Sequence, residues 1–294
     1  MSEPWSQWPA PAKLNLFLHI VGRRADGYHV LQTVFQLLDW GDTIALRVRS
    51  DGKINRSEPV AGVPSETDLT LRAARALQAH CATSSGVEIR LHKRIPVGGG
   101  LGGGSSDAAT VLVALNELWD LRLGTDELAR IGQSLGADVP VFIRGQSAWA
   151  EGIGEHLTPI ELPRRYFVIV DPGVCVATGP LFQAAELTRN SPPTTISDFL
   201  AGKTTNVFAP LVRARHPPVS AAMDWLKQFG EPRLTGSGGC VFIERESAAE
   251  VEAIVRACPA PFTAHGAAGV AQSALPKAVE TWRAARTVTN GVPR

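Results

Sequence analysis

Six glycines fall within the seven residues from 98 to 104 (Gly98, Gly99, Gly100, Gly102, Gly103 and Gly104), and they limit this chain more than any other feature. They sit inside Pro96-Val97-Gly98-Gly99-Gly100-Leu101-Gly102-Gly103-Gly104-Ser105-Ser106-Asp107-Ala108-Ala109. Val87, Ile89 and Leu91 alternate with Glu88, Arg90 and His92 before the run, which predicts a half-buried strand. Ala108, Val111, Leu112, Leu115, Leu118 and Trp119 follow it at helical spacing and predict an amphipathic helix. Without Cβ atoms, the backbone N–H groups between strand and helix can point inward together. Ser105 or Ser106 is the expected N-cap, and the helix dipole adds about half a positive charge at that end. Such a loop suits phosphate.

Other glycine-loop chemistries fit less well. Gly98-x-Gly100-x-x-Gly103 satisfies the dinucleotide fingerprint, but the helix leads to Gly124-Thr125-Asp126 and a second helix, with no intervening strand to carry a ribose-binding acid. No Lys-Ser/Thr pair follows the last glycine, so the P-loop pattern is unmet, and His-Arg-Asp and Asp-Phe-Gly are absent. A flexible linker would not be expected to carry Leu101 and two serines. A net charge of +1 gives no field to attract nucleic acid or an anionic membrane. Cys81, Cys175, Cys240 and Cys258 have neither metal-ligand nor disulfide spacing and read as reduced thiols, mostly core filler. Residues 14–22 are apolar, but they contain Asn15 and His19 and precede their arginines, unlike a secretion signal. A cytoplasmic location is expected.

Several further residues stand out. Leu14, Leu16, Leu18 and Ile20 alternate with Lys13, Asn15, Phe17 and His19, so Lys13 and Asn15 are expected on the open face of a strand. There Lys13 is either a solvated edge charge or part of a site. Tyr28 and His29 leave the turn Arg23-Arg24-Ala25-Asp26-Gly27 as a strand opening or as a stacking ring and an imidazole for a nucleobase. Strands are expected at 30–38 and 43–49, with a hairpin signal at Asp51-Gly52, and a helix at 68–80. Asp138 lies in Gly136-Ala137-Asp138-Val139-Pro140, expected to turn a helix into a strand at 141–143. Further strands are expected at 165–170, 240–243 and 262–264, helices at 220–229 and 247–257, and a polar connection at 188–205. Leu234-Thr235-Gly236-Ser237-Gly238-Gly239 is a tight turn or a second loop at the site.

Residues 96–109 resemble the phosphate-binding motif of the GHMP small-molecule kinases, which include galactokinase, homoserine kinase and mevalonate kinase. Pro11-Ala12-Lys13-Leu14-Asn15-Leu16 and the Gly136–Pro140 segment match two further family motifs in order and spacing. The resemblance covers most of the chain and weakens after about residue 260. It implies an α+β fold of two domains: residues 1–158, like the second domain of ribosomal protein S5 and carrying the ATP loop, and residues 159–294, ferredoxin-like and on the substrate side. It implies ATP and Mg²⁺, with Ser106 reaching the metal, and transfer of the γ-phosphoryl group to an alcohol. By the same resemblance Lys13 and Asp138 are catalytic, and Pro96 to Ser106, Lys93 and Asp68 bind the nucleotide. Asn15, Tyr28, His29, Asp138, Thr178, Phe182 and Gly238 meet the acceptor, with Tyr28 and His29 on the cytosine of a cytidine-diphosphate polyol. The family usually has Asn where Asp68 stands; a carboxylate can accept from the adenine amino group but cannot donate to a ring nitrogen. Another GHMP acceptor, or an RNA-binding module on the same fold, are the alternatives; near-neutral charge argues against the latter.

Overall fold

The computed structural model describes residues 4–60 and 63–290. The first half of the chain forms β1 (Ser6–Arg23), β2 (His29–Arg49), β3 (Ile54–Arg56), α1 (Leu69–Cys81), β4 (Gly86–His92), α2 (Gly103–Leu118), α3 (Thr125–Gln133), α4 (Val139–Arg144), β5 (Ala148–Gly152) and β6 (His156–Pro159). The second forms β7 (Tyr166–Asp171), α5 (Thr178–Gln183), α6 (Ile196–Leu200), α7 (Ala209–Arg215), α8 (Pro217–Leu226), β8 (Arg233–Leu234), β9 (Val241–Arg245), α9 (Ala248–Arg256), β10 (Thr263–Val270) and α10 (Ala274–Asn290). This is the two-domain α+β architecture expected.

The long strand β2 organises the sheet. One edge runs antiparallel to β1, and the other takes β5 at Leu31–Phe35, β10 at Leu37 and Leu38, and β4 at Thr43–Arg49 in succession. The strands expected at 30–38 and 43–49 are therefore one, because Gly41 is not a turn. A Cβ at Gly41 would meet the Ala10 carbonyl oxygen at 2.1 Å, so only glycine lets β1 pass. The Asp51-Gly52 signal does not make a hairpin either; β3 pairs in parallel with β4.

Pairing of β1 with β2 slips between Pro11 and Lys13, and such irregularities re-aim side chains. Both faces of β1 are covered. A second slip, between Asn15 and Leu18, breaks the expected alternation: Lys13, Asn15, Leu18 and Ile20 are buried on one face opposite Leu37, Phe35, Thr33 and Leu31 of β2, while Leu14, Phe17 and His19 are buried on the other. The expected open face is thus corrected: the glycine run covers Lys13, and Thr235 from the second half of the chain covers Asn15.

Three apolar clusters hold the molecule. The first packs α1, α2, α3 and α4 on the sheet around Trp8, Leu112 and Phe142. The second gathers α5, α7, α8 and α9 around Phe208, Val212 and Leu226. The third joins the halves through Leu14, Phe17, Trp40, Phe167 and Phe242. The chain end returns to the first cluster, where Leu275 and Val279 are buried and the Trp282 ring lies tilted against Trp8, centroids 5.6 Å apart. Residues 141–143 belong to the helix α4, not to a strand; Gly145 in the left-handed region closes it. Among the cysteines only Cys240 is buried, and Cys175 is exposed, against the expectation of core filler.

Candidate active site

The glycine run forms an arch over the start of α2. Gly98, Gly100 and Gly102 take positive φ of 74°, 80° and 73°, a region glycine reaches without strain. Gly102 is the N-cap and no side chain caps the helix, so neither serine has the expected role. The Ser106 N–H donates to the Gly102 carbonyl (2.8 Å), and the Ser106 side chain is fully buried. Serine propensity misplaced the start because the left-handed turn lets the helix begin earlier. The first N–H groups of any helix lack partners within it, so the arch presents donors just where an anion would sit.

The loop before β9 clasps the arch. The Gly239 and Cys240 N–H groups donate to the carbonyls of Gly98 (3.2 Å) and Gly99 (3.0 Å). Gly238 is required there, since a Cβ would lie 2.0 Å from the Gly100 nitrogen. Gly236 and Ser237 line the cavity, whereas Gly238 is not among its lining residues; Thr178 and Ser237 share a hydrogen bond of 2.8 Å.

Lys13 lies 2 % exposed beneath the arch. Its Nζ donates to the Gly100 carbonyl at 2.9 Å and to the Asn15 side-chain oxygen, and sits 3.4 Å from Asp138 Oδ2. Asn15 is fixed in turn, its amide donating to Thr33 Oγ1 (2.9 Å) and its backbone N–H to Thr235 Oγ1 (3.0 Å). Asp138 precedes α4 without capping it, one third of its side chain open to the cavity. The turn holding it joins two helices, not the helix and strand expected.

Lys13, Asn15, Asp138 and the arch wall one cavity of about 1,320 Å³. Asp68 and Lys93 line it, as do Tyr28, His29, Thr178 and Phe182. Asp68 accepts from the Thr70 N–H and hydroxyl as the N-cap of α1 and pairs with Arg56, so its carboxylate is already engaged. Lys93 bridges Asp42 and Asp107. Burial disfavours its ammonium, but the pull of Asp107 and Asp42 outweighs this and raises its pKa. Burial raises Asp107 above the usual carboxylate range despite Lys93. Tyr28 is 62 % exposed at the rim, and the His29 and Phe182 rings lie 5.0 Å apart. Sequence reasoning missed Asp42 and Arg189, which sit in no motif; Thr235 lies inside the 234–239 loop it named, but without a role of its own.

Both halves match known family models: residues 68–146 the GHMP kinases N terminal domain, and 186–264 the GHMP kinases C terminal. The chain belongs to the GHMP kinase family. Within it, the chain is 56 % identical over 278 residues, 94 % of each chain, to the 4-diphosphocytidyl-2-C-methyl-D-erythritol kinase of Xanthomonas campestris pv. campestris. The kinase of that name from Halorhodospira halophila is 52 % identical over 274 residues, 92 % of this chain and 95 % of its relative. A crystal structure of 4-(cytidine 5'-diphospho)-2C-methyl-D-erythritol kinase superposes with a TM-score of 0.78 at 31 % identity, covering 90 % of this chain and all of the other.

Proposed function

We propose that this protein transfers the γ-phosphoryl group of ATP to the 2-hydroxyl of 4-diphosphocytidyl-2-C-methyl-D-erythritol, giving the 2-phosphate and ADP in non-mevalonate isoprenoid precursor synthesis. One observation carries the reading: the Lys13–Asp138 pair stands in the cavity that the phosphate-type arch and the His29–Phe182 wall share. The relatives' names supply the acceptor. A cytoplasmic location suits a chain in which, among the described residues, no helix is long and apolar enough to cross a membrane.

Phosphoryl transfer passes through a loose transition state, so positioning and charge matter more than a strong base. The arch N–H groups hold the phosphate tail. Lys13, tethered at Gly100 and Asn15, faces the charge that builds on the transferred oxygens. Asp138 orients the attacking hydroxyl and accepts its proton late. Tyr28 and Phe182 offer ring faces to the cytosine and His29 its edge, while Lys93 and Asp68 border the adenine end. Mg²⁺ would fit the α2 head through Asp107, which lines the cavity and whose Oδ1 is buried without a hydrogen-bond partner. Ser106 Oγ is likewise unpartnered but is fully buried and not among the lining residues, and Mg²⁺ needs few protein ligands beside phosphate and water. When bound it would neutralise charge on the phosphate oxygens.

The test is ³¹P NMR of the purified protein with Mg-ATP and the cytidyl acceptor, with mevalonate, homoserine and galactose as controls. A new phosphomonoester resonance is expected with the cytidyl acceptor alone. Turnover of another alcohol in its place would move the protein to a different branch of the family.

A further inference from the structure

The polar segment after α5 places an arginine where the acceptor reading assigned no residue. Arg189 lines the cavity, and its guanidinium donates to three carbonyls: Phe182 (2.8 Å), Ala184 (2.7 Å) and Leu187 (3.1 Å). A six-residue helix such as α5 has little stability of its own, and its last carbonyls lack partners within it. Arg189 supplies those partners. The segment that carries it is pinned to the sheet, the Ser191 N–H donating to the Ile20 carbonyl (2.8 Å) and the Thr194 N–H to Gln32 Oε1 (2.9 Å). The guanidinium thus ties the end of α5 to a fixed frame. Phe182 rides on that end, its ring 4.9 Å from Phe208 and 5.0 Å from His29. His29 Nε2 is buried with no hydrogen-bond partner, although the residue lines the cavity. A buried polar atom without a partner calls for one that arrives with a ligand.

We propose that Arg189 is a positioning residue for nucleobase selection: by tying down the end of α5 it sets the Phe182 ring against His29 and fixes the width of the slot that takes the base. This rests on the acceptor reading above. The same guanidinium acts on His29 electrostatically. Burial lowers the imidazole pKa, and the charges of Arg189 and then Arg23 lower it further. Of the other charged groups on this loop, Asp26 pairs with Arg24, which also reaches Glu155. A neutral imidazole has one donor and one acceptor, as the mixed edge of a pyrimidine base requires, whereas an imidazolium only donates.

Two variants separate the effects. R189M removes both the carbonyl ties and the charge; R189K keeps a charge but, as a compact ammonium, cannot reproduce the planar fork. With Mg-ATP and the cytidyl acceptor, R189M is expected to raise the acceptor KM about tenfold or more, with kcat and the ATP KM within about twofold of wild type. R189K should raise the acceptor KM too. NMR titration of the His29 ring, assigned with H29Q, should move to higher pH in R189M and stay near wild type in R189K. An acceptor KM unchanged in R189M, or kcat and the ATP KM deteriorating together with it, would overturn the proposal, as would an unmoved His29 titration. A wild-type protein that ignores the cytidyl acceptor sinks the acceptor reading instead, and the ring titration still decides whether Arg189 governs His29.

Discussion

Lys13 shows what single residues disclose. Strict alternation placed it correctly beside Asn15, but the sequence contains no sign that another part of the chain closes over that face. Its burial at 2 % exposure changes what a substitution does. Lys13→Met should cut kcat by at least about 10², and it should also lower stability by about 1–3 kcal/mol, because the Gly100 carbonyl and Asn15 Oδ1 lose their donor. Urea unfolding beside steady-state assays would check both, and an unchanged unfolding midpoint would mean the cage does not need its cation. Asp138→Asn, on a side chain one third open, should lower kcat by about 10² with little change in ATP affinity. Near-normal turnover in that variant removes Asp138 from the reaction. His19 gives a pH effect of definite sign. Burial lowers its pKa, and its Nε2 accepts from the Thr205 N–H at 3.3 Å, so the fold favours the neutral ring. The unfolded chain binds a proton below about pH 6.5 that the fold resists, so stability falls as pH drops through that value toward the lower folded pKa. His19→Gln should flatten the fall between pH 7.5 and 5.5 in urea titrations; an equal slope in both proteins would count against it.

At the scale of elements, the arch, the strand before it and the helix after it were legible because glycine content and periodicity agree there. Two boundaries were not. Residues 141–143 form a short apolar run, which periodicity cannot assign to strand or helix; Pro140 in the first turn of α4 and Gly145 at its end decide for helix. The clasp between the arch and the loop before β9 is a contact of distant segments, and only the glycines at its centre hint at it. Gly238→Ala puts a methyl group 2.0 Å from the Gly100 nitrogen, where only backbone can yield. The two loops must part, disturbing the arch N–H groups directly and the start of α5 only through the Ser237–Thr178 hydrogen bond. The expected outcome is an ATP KM raised about tenfold or more with a clearly smaller rise in the acceptor KM, as initial-rate kinetics would show. Equal loss for both substrates would mean the clasp holds the whole cleft and not only the arch.

For the whole molecule, the unread part was the chain end. Leu275, Ala278, Val279 and Trp282 stand at i, i+3, i+4 and i+7, an apolar stripe that signals a helix, but its partner lies more than 150 residues away in sequence. That helix, α10, seals the first cluster beside Trp8, and Arg283 anchors it by a bidentate pair to Glu117 of α2 (2.8 and 2.7 Å). β10 meanwhile bonds to both β2 and β7, so the segment from Thr263 to Val270 stitches the first half of the chain to the second. The two stretches therefore should not fold independently, even though each carries its own cluster. Leu275→Ala alone should lose about 2–5 kcal/mol, since the side chain is 1 % exposed. A chain ending at Gln272 loses Leu275, Val279 and Trp282 together, a deficit comparable with the 5–15 kcal/mol that holds a typical domain folded. Its unfolding in urea should begin at markedly lower concentration and lose cooperativity, and near-ultraviolet circular dichroism should report Trp8 freed from its packing. The arch stands on α2, which α10 supports from behind, so ATP should no longer protect the shortened chain against unfolding. A truncated protein that kept the full midpoint and its nucleotide response would show that the N-terminal layer closes its own core, and the helix would be only a cover.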